Sequence, residues 1–123
     1  MIRGGKMEIK FRQPIFGDGK FVSWHYWGYI RGGFASPANA DLKRLSQQYI
    51  GIKDKNGVDV YKGDIFKAEN PDVKGKYINQ EVFWESEFLR WGLRSKNKRK
   101  YVSYMYPNFH NREVIGSVYG KSG

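Results

Sequence analysis

Turn signals arrive too often along this chain to leave room for anything much longer than short strands. From Gln48 onward, runs rich in β-branched and aromatic residues are cut by Lys53-Asp54-Lys55-Asn56-Gly57, by Gly63-Asp64, by Asn70-Pro71-Asp72 and by further brief polar links. Candidate strands fall at Gln48–Ile52, Val58–Val60, Ile65–Phe66, Tyr77–Glu85, Phe88–Arg94, Lys100–Tyr106 and Glu113–Tyr119. The links between them are too short for crossover helices, so the sheet is expected to be largely antiparallel.

The first third of the chain adds a strand pair. Met7, Ile9 and Phe11 alternate with Glu8 and Lys10 as in a half-buried strand, which Pro14 and the Gly17-Asp18-Gly19 turn are expected to end. Phe21–Ile30 is β-prone by composition and carries aromatics on both faces. Gly32-Gly33 breaks that pattern, and Ser36-Pro37 reads as the cap and first position of one short helix lying between Ser36 and Gln48. Asn56-Gly57 predicts a tight turn with Gly57, and Asn56 with it, at positive φ. The expected fold is mainly β: a small, partly open antiparallel barrel with an N-terminal strand pair and at most one short helix. One domain is expected over residues 7–120, with a flexible leader at 1–6 and a tail at 121–123.

Composition narrows the setting. The absence of cysteine excludes a disulfide framework and any thiolate metal site. No apolar run approaches the ~20 residues of a membrane span, so a soluble, cytoplasmic protein with no membrane partner is expected. The formal charge of +10 is uneven: +5 over residues 1–45, −2 over 46–87 and +7 over 88–123. Such asymmetry points to an anionic partner, nucleic acid or an acidic protein, and reads equally as a means of keeping an aromatic-rich domain in solution.

The central words Gln48-Tyr49-Ile50-Gly51-Ile52-Lys53-Asp54-Lys55-Asn56-Gly57 and Val60-Tyr61-Lys62-Gly63-Asp64-Ile65 resemble the signature of the YopX family of temperate phages and prophages. Glu8-Ile9-Lys10-Phe11-Arg12 and Glu113-Val114-Ile115-Gly116-Ser117-Val118-Tyr119 resemble that family's two ends, in the same order. Ile15–Leu45 has no counterpart in this resemblance. It implies a phage-type origin in a bacterial host and a compact β-rich fold, and it brings no catalytic residues. The signature is explained by folding alone, with Asn56-Gly57 and Gly63-Asp64 as turns and Ile50, Ile52, Val60, Ile65 and Phe66 as core.

No coherent catalytic constellation is visible, so the chain is expected not to be an enzyme and to need no cofactor or metal. The two histidines, His25 and His110, have no second ligand at metal-site spacing. Asp54-Lys55-Asn56-Gly57-Val58-Asp59 fails as a calcium loop, with Val58 at the fifth position and Asp59 where the glycine belongs. Gly116–Ser122 fails as a phosphate loop, one residue short between its glycines. Glu81, Glu85 and Glu87 read as a solvated strand face at least as well as a carboxylate pair.

Two binding surfaces remain. Arg90 and Arg94 share one parity of a strand whose other face carries Trp91 and Leu93, and a loop with Lys96, Lys98, Arg99 and Lys100 follows without an acid. With Tyr101 and Tyr104 nearby, this hairpin suits phosphate and base contacts, and it suits equally a solvated loop whose lysines discourage edge pairing. The alternative is a protein-interaction surface on the aromatic strand, made of Trp24, Tyr26, Trp27 and Tyr29.

Overall fold

The computed structural model describes residues 9–30, 32–69, 73–95, 101–102 and 113–120. Among these residues, ten strands form two five-stranded sheets in which every pairing is antiparallel. The first sheet contains β1 (Lys10–Gly17), β2 (Lys20–Ile30), β3 (Gly33–Ala35), β4 (Gln47–Lys53) and β5 (Asp59–Tyr61), in the order β3-β2-β1-β4-β5. The second contains β6 (Asp64–Glu69), β7 (Tyr77–Glu85), β8 (Arg90–Ser95), β9 (Tyr101–Val102) and β10 (Val114–Ser117), in the order β10-β6-β7-β8-β9. Neither sheet closes on itself, which fits the partly open barrel expected from the strand spacing.

Several local readings are corrected. β1 does not end at Pro14 but runs to Gly17, with Pro14 paired to Trp24 of β2. β4 pairs with β1 only at Phe11 and Arg12, so Pro14 stands where the strand has become an edge, the place a residue without an N–H is tolerated. Gly33–Ala35 is a short strand that folds back on β2 rather than a break. The helix is a single 3-10 segment, Ala40–Leu45, and its cap is Asn39 in place of Ser36. Asn39 Oδ1 accepts from the Asp41 N–H at 2.9 Å. Gln13, buried in β1, fixes the approach to that helix by accepting from the backbone of Ala38 and Asn39 and donating to the Asn39 carbonyl.

The turns follow their residues. Asp18 and Gly19 both take positive φ, +52° and +75°, as a two-residue hairpin requires. At the second hairpin only Gly57 does so, at +79°, and Asn56 does not. Gly57 N–H donates to Asp54 O and Asp54 N–H to Val58 O, so Lys55-Asn56-Gly57 is a three-residue loop: a type I turn followed by one left-handed residue. A Cβ on Gly57 would meet nothing within 4 Å, so backbone strain alone opposes substitution there. Gly57→Val is therefore expected to lower stability by about 1–3 kcal/mol in urea denaturation.

The sheets meet over a small core of Val60, Phe66, Val82 and Leu93, with Ile50, Ile52, Trp91 and Val114 packed against it. A second apolar contact joins the N-terminal hairpin to the turn after β10, where Tyr119 meets Phe16 and Trp24 edge-on at 5.8 and 6.0 Å. The chain passes between sheets at Tyr61-Lys62-Gly63-Asp64. There the Lys62 N–H reaches Gln48 O in the first sheet and the Gly63 N–H reaches Val82 O in the second. Among the described residues no helix is long and apolar enough to cross a membrane.

Candidate functional site

β1 looks amphipathic in sequence, yet Arg12 and Gln13 are both buried, because the strand is covered on both faces. Phe11 stacks on Trp27 at 4.4 Å on one side. On the other, the Arg12 guanidinium lies between the rings of Trp24 and Tyr61, at 4.0 and 4.6 Å from their centroids. Its Nε donates to Gln47 Oε1 at 2.9 Å, and its Nη2 pairs with Asp64 Oδ1. Asp64 Oδ2 accepts the Tyr61 N–H at 2.8 Å, so one carboxylate serves both the cation and the inter-sheet turn. Burial pushes the Asp64 carboxyl up, against the pull of Arg12.

Above this pair lies a groove of about 750 Å³ between the sheets. Trp24 and Tyr26 of β2 and Tyr61 of β5 supply its aromatic wall, and Val114, Ile115 and Gly116 of β10 face them. Lys10 and Asp59 also line it, paired at 2.7 Å, and Lys53 holds the second oxygen of Asp59 at 2.6 Å. Burial raises the pKa of both the Tyr26 and Tyr61 phenols, so both are neutral donors at physiological pH.

One clamp sets the distance across the groove. Asp54 Oδ1 accepts the N–H groups of Asn56 and Val58 at 2.8 and 2.9 Å, and Oδ2 accepts that of Val114, in the other sheet, at 3.0 Å. Burial disfavours the charged form of Asp54, but these three bonds outweigh it and hold the carboxyl below its usual range. Asp59 is likewise held low, its burial outweighed by Lys10 and Lys53. Carboxyls depressed in the folded state contribute stability that is complete above their unfolded pKa and is lost as pH falls through the folded one. Thermal midpoints are thus expected to fall steeply below about pH 4. Asp54→Ala should cost about 2–4 kcal/mol at neutral pH and flatten that acid limb, since its backbone donors lose a charged acceptor.

The strand expected at Phe88–Arg94 begins instead at Arg90, with Leu89 in the turn before it at φ +52°, and from there the alternation holds. β8 and β9 pair with Arg94 opposite Tyr101 and Leu93 opposite Val102. Leu93 is buried, and Trp91 packs on Trp84 at 5.1 Å. Arg90 and Arg94 share the other face, but each already has a carboxylate: Arg90 Nε meets Glu85 at 2.7 Å, and Arg94 takes both oxygens of Glu81. Lys96, Lys98, Arg99, Lys100 and Tyr104 lie outside the described residues. The four aromatics of the alternative surface divide by parity. Trp24 and Tyr26 face the groove, whereas Trp27 donates to Ser46 Oγ beside Phe11, and Tyr29, 60% exposed, packs on Phe34.

The residues that build the groove floor, Arg12, Tyr61 and Asp64, and the clamp, Asp54, were not singled out as site residues by their sequence pattern. Asp54 carries a readable signal, an Asp opening a hairpin loop whose carboxylate can bond the backbone two residues on. His25 is bonded at 2.7 Å to the Ser36 carbonyl, and Ser117–Gly120 is a turn closed by its own backbone.

A family model described as YopX protein matches residues 31–123. The chain belongs to the YopX family. The matched stretch holds Asp54, Tyr61, Asp64 and β10, while Lys10, Arg12, Trp24 and Tyr26 precede it. It begins after Glu8–Arg12, so that end of the resemblance falls outside it, and it takes in residues 31–45. The groove therefore combines YopX family residues, Tyr61 and β10 among them, with Trp24 and Tyr26 of the preceding strand pair. A comparison with curated proteins gives no match.

Proposed function

We propose that this YopX family protein is a non-catalytic, phage-type accessory protein that works in the cytoplasm of a bacterial host as an interaction module, binding an acidic protein through the groove. The groove with its aromatic wall of Trp24, Tyr26 and Tyr61 is the observation that carries this reading. The edge strands beside it, β5 and β10, each have a backbone N–H held by a carboxylate, Tyr61 by Asp64 and Val114 by Asp54. Those donors are unavailable to an added strand, so recognition runs through side chains entering the groove. The charge of +10 favours an acidic partner and speeds its encounter.

A second reading, nucleic-acid binding by the hairpin, rests on the acid-free run Lys96, Lys98, Arg99, Lys100. Its strand face supports it less, because Arg90 and Arg94 are engaged by Glu85 and Glu81. One capture experiment from host lysate separates the two. Binding that survives nuclease, is lost in Tyr26→Ala and persists in the Lys98→Ser/Arg99→Ser/Lys100→Ser triple variant supports the groove. Binding that nuclease abolishes, with a salt dependence the triple variant flattens, supports the hairpin.

A further inference from the structure

We infer that the groove recognises a peptide segment in which a carboxylate stands beside an aromatic side chain. This rests on the groove being the partner site and specifies what enters it.

The groove carries a surplus of donors. Arg12 uses Nε and Nη2 on Gln47 and Asp64, and its Nη1 has no acceptor among the described residues. Trp24 Nε1 and the hydroxyls of Tyr26 and Tyr61 likewise have no hydrogen-bond partner there. Arg12 and Tyr61 are only 5% and 3% exposed, yet neither has a fully enclosed unsatisfied atom, so their spare hydrogens meet the groove's solvent. The acceptors on the same walls are already committed, Asp59 to two lysines and Asp64 to Arg12 and the Tyr61 N–H. An acceptor-rich group entering here gains bonds that none of the described residues supplies, and a carboxylate is the compact group of that kind in a polypeptide.

The walls decide what stands beside it. Ile30, Val58 and Ile115 are aliphatic, and Tyr26, a lining residue, is 47% exposed, so a flat side chain can lie against it. The volume of about 750 Å³ is that of a site for a medium-sized ligand and holds one aromatic side chain with its flanking acid. A phosphate backbone fits less well. A polyanion needs a series of cations along its backbone, and here Lys10 and Arg12 are each engaged by an aspartate, whereas one carboxylate needs only the spare donors.

The test uses the whole chain labelled with nitrogen-15, following indole N–H and backbone signals during titration. The probes are a blocked Gly-Glu-Phe-Glu-Gly pentapeptide, its Phe→Ala and Glu→Gln versions, and an oligothymidylate. Saturable shifts of the Trp24 indole and of Ile115 are expected with the first peptide, and binding about tenfold weaker or worse with each altered peptide. Tyr61→Phe keeps the ring and removes only the hydroxyl, and should weaken the first peptide by about threefold to tenfold with unchanged thermal stability. Equal binding of the Glu→Gln peptide, no saturable shift, or oligothymidylate displacing the peptide from these signals would overturn the inference. Failure of the groove as partner site would show elsewhere, as lysate capture indifferent to Tyr26→Ala.

Discussion

Arg12→Ala is expected to destabilise the domain by about 3–5 kcal/mol, because it strands a buried carboxylate. Asp64 is 1% exposed, and the Arg12 guanidinium is the cation paired with it. Without Arg12, burial of Asp64 is opposed chiefly by the Tyr61 N–H alone, and its pKa climbs further. A carboxyl raised in the folded state binds its proton more tightly there, so the deficit should be larger at about pH 7 than at about pH 5, opposite in sign to the acid limb set by Asp54 and Asp59. Arg12→Met with Asp64→Leu removes both charges and should recover most of the loss, leaving about 1–3 kcal/mol because the Tyr61 N–H is left without its acceptor. Urea denaturation of the two single variants and the double one measures this directly. A double variant as unstable as the sum of the singles would mean that the two charges do not compensate each other.

That pair also marks where sequence reading gives out. Strand positions were legible because they depend on local punctuation: Tyr77–Glu85 is a strand with the bounds its composition suggests, and the Gly17–Gly19 and Gly57 turns sit where their glycines place them. Errors arose where a neighbour in space decides. Alternation through Ile9 and Phe11 assigns Arg12 to solvent, and only the rings of Trp24, twelve residues on, and Tyr61, in another strand, put it inside. The cap at Asn39 follows from Gln13 holding the preceding link against β1. Trp24 and Tyr26 share a parity that is readable, but what they face is β10, ninety residues away in the chain. The groove is a product of two sheets, and no window of sequence contains both.

Gly63→Val is expected to lower stability by about 3–5 kcal/mol, through strain and crowding together. Gly63 takes φ +85°, where a β-branched residue is disfavoured. A Cβ built there would overlap Gln47 Nε2 and stand 2.8 Å from its Cδ, a clash only movement can relieve. The end of a glutamine is usually free to move, but Gln47 is 5% exposed and its Oε1 accepts from Arg12 Nε. Pushing it aside breaks that bond and disturbs the guanidinium under the groove. Nor can the backbone easily retreat, since the Gly63 N–H is bonded to Val82 O and its carbonyl to the Val118 N–H. Gln47→Ala in the same chain separates the two contributions: it removes the overlap and leaves the strained φ. The double variant Gln47→Ala/Gly63→Val should lie about 1–3 kcal/mol below Gln47→Ala alone, a smaller step than Gly63→Val produces in the parent chain. Equal steps in the two backgrounds would mean that Gln47 yields without resistance, and that the inter-sheet turn requires glycine for its dihedral angle only.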